Sequence, residues 1–448
     1  MGKKTETIPW GEIEIRYAKL FKNDKGNVAK PLRMALGALI IQTEYQFSDE
    51  EVVLQIQEGP YLQYFCGLPG YTDEKPFDSS TMVYFRKRLT SEILGEINEL
   101  IIAKAEKKPK LTDKDDVKPA DDEDARNEGT LTVDASCAPQ NIRYPQDTSL
   151  LNEARENLEA MIDEMHDPKE CQKPRTYRKK ARKDYLNIAK SKRKSLKKIR
   201  KAIGKQLRYI RRDLGIVDKF LKREKILSEK KLRKLGTIRA VYEQQLKMFE
   251  NRSHRIENRI VSLSQPWIRP IVRGKAKAKC EFGSKVDISV TDGFVRLEHS
   301  SFEAYNESEN LEKIIERYRD RTGHYPERVL ADKIYRTRNN LKYCKEKGIR
   351  LSGKPLGRPK RDPEFDKKQE RRDEIDRVEV ERKFSHAKGS FGLGLIRTKL
   401  QKTSETAISL AILLLNISYI QRLFLFLFKS CIILLIPRVI FKKVAFIQ

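Results

Sequence analysis

The stretch TLTVDASCAPQ, Thr130 to Gln140, decides how the chain folds. Its β-type residues read as a strand that carries Asp134 in its second half and stops at Pro139. Just upstream, residues 106–129 are charged, Pro-containing and without apolar periodicity, so they read as a linker and a domain boundary. Downstream, KCEFGSKVDISVTDGFVRLEHSSF reads as two alternating strands turning at Asp292-Gly293. ENLEKIIERYRDRTG follows as an amphipathic helix ended by Gly323, and ERVLADKIY as a short strand with Asp332 at its carboxyl end. TRNNLKYCKEKG then reads as a helix closed by Gly348, and IRLSG as a last strand. This order predicts an α/β protein with a mixed sheet and one long helical insertion after the first strand.

The insertion, residues 152–266, is helical and very basic. Ala189, Leu196, Ile203, Ile210 and Val217 recur every seventh residue, with Leu207, Leu214 and Leu221 at a second heptad position, which predicts a coiled-coil seam. KKLRKLGTIRAVYEQQLKMF is expected to fold back on it as a hairpin. Residues 1–105 read as a helical N-terminal domain, with PLRMALGALIIQTEY as one apolar helix and DEEVVLQIQEGPYLQYFCGLPG as another. In FDSSTMVYFRKRL, Ser80 is placed as an N-cap, and the helix behind it carries Arg86, Lys87 and Arg88 beside Tyr84 and Phe85. Basic residues interleaved with aromatics suit DNA contact in the manner of a helix-turn-helix; a packed helix with a solvated basic edge fits the residues almost as well.

Composition bounds the function. The 448 residues carry a net charge of +29, with 35% charged and 39% hydrophobic residues, so the chain can bury a core and its natural partner is a polyanion. Six scattered cysteines without a CxxC pair read as reduced cytosolic thiols and give no zinc site. The five histidines are isolated and lack metal-ligand spacing. The first residues contain no apolar core of a secretory signal. From Ala407 an apolar run approaches the length of a membrane span but is interrupted by Asn416, Gln421, Arg422 and Lys429, which favours a closing core helix over a membrane segment. Residues 421–448 form an apolar tail, either a partner surface or the product of a reading-frame change.

Asp134 and Asp332 sit at comparable places in strands. A carboxylate there needs compensation, from a divalent cation or from a local capping role, and these two residues alone leave both open. A third acid comes from RVEVERKFSHAK, Arg377 to Lys388. At about 100° per residue, Arg377, Glu381, Phe384 and Lys388 share one helix face, while Glu379 and His386 lie on the opposite side. Gly389 is expected to stop the helix.

Together TLTVDASCAPQNIRYPQD, VLADKIYRTRN and RVEVERKFSHAKGSFGLGLI resemble the DDE transposases of bacterial insertion sequences, in particular the large insertion sequence five group. Arg377, Glu381 and Lys388 match that family's third-acid spacing, with Glu374 where the family has a tyrosine. The resemblance implies an RNase H-like catalytic domain over residues 130–151 and 267–420. It implies Asp134, Asp332 and Glu381 as catalytic metal ligands, and Mg²⁺, replaceable by Mn²⁺, as cofactor. Arg377 and Lys388 are implied as phosphate contacts, and cleavage and strand transfer at transposon ends as the reaction. The implied partners are end and target DNA and a second copy of the chain in a synaptic homodimer, with no small-molecule substrate, in the cytoplasm at the bacterial nucleoid. The competing expectation is a non-catalytic basic coiled-coil protein that binds nucleic acid, a degenerate relative of the same enzymes.

Overall fold

A computed structural model describes residues 2–19, 29–106, 126–169, 172–272, 280–354, 356 and 367–444, with side chains to 426. Most of the expected linker, most of the apolar tail, and Cys171 and the side chain of Cys431 lie outside what is described. The chain divides into two compact units, Met1–Pro139 with Lys285–Ser301 and Tyr305–Gln448, and Gln140–Ser284 with Phe302–Ala304.

In the first unit, helices α1 (Gly2–Thr7), α2 (Trp10–Ala18), α3 (Leu32–Tyr45), α4 (Asp49–Glu58), α5 (Pro60–Cys66), α6 (Thr81–Arg88) and α7 (Ser91–Glu106) precede strand β1 (Thr130–Pro139). The single helix expected over DEEVVLQIQEGPYLQYFC is two, because Pro60 cannot continue α4 and instead opens α5 at its first position. Ser48 and Glu51 form a reciprocal capping box on α4. Ser80 stands at the start of α6 but gives no side-chain cap; its own backbone N–H donates to Asp78 Oδ1 at 3.0 Å. Hydrogen bonds donated by the Ser80 backbone and side chain, with Lys75 beside them, hold the Asp78 pKa down at about 2.

Strand β3 (Cys280–Thr291) pairs antiparallel with β4 (Phe294–Ser301) through a two-residue turn in which Asp292 and Gly293 both take positive φ, 50° and 80°. That is the hairpin the Asp-Gly pair announces. Helix α12 (Leu311–Thr322) stops at Gly323 with φ 85°. Strand β5 (Arg328–Leu330), helix α13 (Arg338–Glu346) and strand β6 (Arg350–Leu351) follow, then α14 (Lys367–Ser390) and α15 (Gln401–Val444). β1 runs parallel to β5, and β5 to β6. The order in this unit is β4-β3-β1-β5-β6, a mixed sheet.

Side-chain parity sorts the two faces of the sheet. Leu131 and Val133 of β1 join Val329, Leu351 and residues of α12 and α13 in one core. Val286, Ile288 and Val290 of β3 join a second core with α14, α15 and the N-terminal helices. The N-terminal helices therefore share a core with the sheet rather than standing apart. α7 meets the sheet directly, with Asn98 donating to the Val295 carbonyl of β4 at 3.1 Å, and α15 adds a second tie, its residues Ile408 to Ile420 almost all buried. By length and composition α15 could cross a membrane over Gln401–Phe426, yet 61% of its 18-residue apolar window is buried within the fold.

In the second unit, β2 (Arg269–Val272) pairs antiparallel with the opening residues of β3. The helices are α8 (Asp147–Met165), α9 (Arg178–Ala189), α10 (Leu196–Leu221) and α11 (Glu229–Glu250). The heptad seam holds only within α10: Ile203, Leu207, Ile210 and Val217 are buried, whereas Leu196 is 77% exposed and Ala189 is exposed. The helix breaks between Ala189 and Leu196, so the seven-residue register cannot pass from one segment to the next. α10 packs on α8 and α9 as well as on α11, a bundle rather than a two-helix hairpin.

Candidate active site

All three acids singled out in the sequence lie in the first unit. Asp134 is half-buried on the even face of β1, and its Oδ1 accepts from the Ala135 N–H at 2.8 Å. Asp332 is exposed just after β5 and accepts from the Lys333 N–H at 2.7 Å, so it does cap the 3₁₀ turn Lys333–Tyr335. The capping role and an open carboxylate edge coexist, because one oxygen is enough for the cap. Glu381 is exposed on α14, and Arg377 Nη2 lies 3.3 Å from its Oε1, one turn away on the same face.

Shared neighbours link the three. Helix α14 packs along β1, and Lys388 Nζ donates to Ser136 Oγ at 2.8 Å. Ser136 is two residues from Asp134, hence on the same face of the strand. Asp332 and Arg377 line one groove of about 420 Å³ together with Arg336 and Glu374. The residue at the family's tyrosine position thus opens onto the same groove as Asp332. Tyr335, fully buried, feels the charge of both Asp134 and Asp332.

A group of three His, Cys, Asp or Glu side chains able to hold a metal ion is absent among the described residues. The hard oxygen donors fit Mg²⁺ or Mn²⁺ in kind, but they are not gathered into one cage.

The two glutamates of RVEVERKFSHAK are separated as helical geometry requires. Glu379 and His386 line a different cavity, of about 740 Å³, with Lys383 and Tyr419. There Lys383 donates to the Gly293 carbonyl and lies 4.2 Å from the Tyr419 ring centroid. Burial pushes the Lys383 pKa down, against the pull of Glu379. The helix runs through Gly389 to Ser390, one correction to the expected stop, since the left-handed glycine is Gly392.

The basic residues of α6 part company. Arg86 donates to Gln42 and to both oxygens of Asp49, and its side chain is only 11% exposed. It is a structural cation, which corrects its place among the expected phosphate contacts. Lys87 and Arg88 are exposed, with Lys87 5.7 Å from the Tyr84 ring centroid.

One acid near the site was not singled out from the sequence. Asp287, on β3 beside β1, is fully buried and accepts from Tyr305 Oη at 2.5 Å and Asn310 Nδ2 at 2.8 Å. Burial raises its pKa despite those two bonds. In the alternating run VDISV it falls on the face opposite Val286, Ile288 and Val290, which in sequence reads as a solvated position.

The two ends of the chain match transposase families. Residues 329–418 match the family described as Transposase DDE domain, and residues 3–88 match Transposase domain (DUF772). The first span contains Asp332 and Glu381 and begins after Asp134. Both matches agree with an insertion-sequence DDE transposase and support a transposase function, with DNA as partner. Among curated proteins, the chain is 28% identical over 155 residues to "Uncharacterized protein ORF8 in nfe locus" of Rhizobium meliloti, covering 34% of this chain and 67% of that one. No solved structure matches the chain.

Proposed function

We propose that this chain is a divalent-metal-dependent transposase of the large insertion sequence five group that cleaves transposon ends and joins them to target DNA. The observation that carries the reading is that α14, which bears Arg377, Glu381 and Lys388 on one face, packs on β1, with Lys388 bonded to Ser136 two residues from Asp134. The strand order β4-β3-β1-β5-β6, with β3–β4 antiparallel and β1, β5 and β6 parallel, supports an RNase H-like sheet.

In this reading Asp134, Asp332 and Glu381 would hold the Mg²⁺ or Mn²⁺. The bound metal supplies activation of the attacking oxygen and stabilisation of the leaving oxygen. The chain's own groups do the positioning. Arg377 orients the Glu381 carboxylate, and Lys388 pins α14 to the strand that bears Asp134. Arg377, lining the groove beside Asp332, is placed to meet flanking phosphates, with Lys87 and Arg88 as further contacts, while Arg336 is held by the Leu351 and Ser352 carbonyls. In the first step a water oxygen bonds to phosphorus as the P–O3′ bond breaks, freeing a 3′-OH. In the second, that 3′ oxygen bonds to a target phosphorus as the target's P–O3′ bond breaks. Joining two ends calls for two active sites, hence a homodimer in the synaptic complex, acting on DNA in the cytoplasm.

The test is a labelled duplex bearing the element's end, incubated with the protein and Mg²⁺ or Mn²⁺. Nicking and joining are expected, and loss of both in Asp134→Asn, Asp332→Asn and Glu381→Gln. Cleavage that persists in all three variants means that other acids carry the chemistry.

A further inference from the structure

Helix α9 presents a stripe of cations with no acid beside it. Residues 172–212 hold 19 lysines and arginines against one acid, Asp184. Ala181 and Ile188 are buried one above the other, and Gln206 donates to the Ala181 carbonyl, so this face of α9 is anchored in its own bundle. Asp184 points to α10, bonded to Lys205 at 2.7 Å and Tyr209 at 2.9 Å. The opposite face is an open groove of about 640 Å³ lined by Lys179, Arg182, Lys183, Asn187, Lys190 and Ser191. Among the described residues none of its four cations forms an ion pair.

We propose that this groove on α9 binds the phosphate backbone of double-stranded DNA without regard to sequence. The geometry suits a backbone rather than base edges. Lys179 to Lys190 spans roughly 16 Å of helix, and a duplex presents one charge per about 1.7 Å of axis, so four ammonium and guanidinium groups meet several phosphates at once. Lysine predominates, a flexible point charge suited to phosphate contact; the bidentate base readout of guanine is favoured by arginine. Fixing the helix through Ala181 and Ile188 lowers the ordering cost of presenting the stripe. The inference rests on the reading of DNA as the partner, but it needs no cleavage.

The test uses the full chain and fluorescence anisotropy of a 30-base-pair duplex of scrambled sequence between 50 and 200 mM NaCl. With four phosphates neutralised, the slope of log affinity against log salt is expected to flatten by about 3 to 4 in the variant Lys179→Gln, Arg182→Gln, Lys183→Gln, Lys190→Gln. Over that salt range the wild-type affinity would fall on the order of 10²-fold further than the variant's. A control with four exposed cations changed elsewhere in the same unit, Lys222→Gln, Lys230→Gln, Arg233→Gln and Lys247→Gln, is expected to change the slope by less than about 1. Circular dichroism checks that both variants remain folded. An unchanged slope in the groove variant overturns the proposal, as does an equal change in the control. Loss of affinity confined to a duplex bearing the element's end overturns it too. Because binding is read on scrambled DNA, a failure here is distinct from a failure to nick.

Discussion

Asp213 offers the sharpest quantitative test of the second unit. It lies fully buried on α10, and neither carboxylate oxygen has a hydrogen-bond partner. Burial raises its pKa from 3.8 to about 7, and Glu159 of α8 pushes the same way; Arg155 of α8, Arg212 of α10 and Arg178 of α9 only partly offset them. Arg155 is already engaged by Glu159 and Asn152. A raised carboxyl pKa means that the folded state holds a proton which the unfolded chain releases near pH 4. Stability is therefore undiminished below pH 4, falls as pH rises toward 7, and stays at its lower value above. The shift from 3.8 to about 7 corresponds to a penalty of about 4 kcal/mol above pH 7, an upper figure for a site that can relax. Asp213→Asn keeps the shape and removes the ionisation. In urea titrations followed by Trp267 fluorescence, on a Trp10→Phe background, the Asn variant is expected to match the parent near pH 4. Its advantage should grow to about 2–4 kcal/mol at pH 8. A difference that does not vary with pH, or an Asn variant less stable at pH 8, would refute the reasoning.

Further expectations concern the first unit. Asn416→Ala should destabilise by about 3 kcal/mol in urea unfolding, because the Asn416 amide serves both the N–H and the C=O of Val295 on β4 and also Asn98. Gly293→Ala should lower stability by about 2–4 kcal/mol, since φ is 80° and a Cβ would lie 2.3 Å from the Tyr419 ring; a melting temperature within a degree of wild type would contradict the packing. Lys388→Met should slow end cleavage by one to two orders of magnitude, as expected for a lost charge-assisted bond of about 1.5–3 kcal/mol, while DNA affinity changes less than threefold. Equal losses in affinity and cleavage would make Lys388 a phosphate contact rather than a positioning residue.

The sequence by itself determined whatever a single turn or strand can encode. The Asp292-Gly293 hairpin and the helix stops at Gly323 and Gly348 were legible because only a few residue types tolerate positive φ. The opposite placement of Glu379 and Glu381 was legible because helical periodicity is local. Tertiary structure alone decided the rest. In sequence Arg86 reads as a phosphate contact, whereas in the fold Asp49, 37 residues away, binds its guanidinium. Asn416 looked like an interruption in an apolar run, and it proves to be the partner of a buried strand backbone 121 residues distant. The heptads of the insertion ran on in sequence across a break that ends one helix before the next begins. The burial of Asp287 is illegible in sequence because its Tyr305 and Asn310 partners arrive from the segment beyond β4. In each case the local pattern states what a side chain needs, a counter-charge, a donor or an apolar neighbour, and only the packing of distant elements states what meets that need.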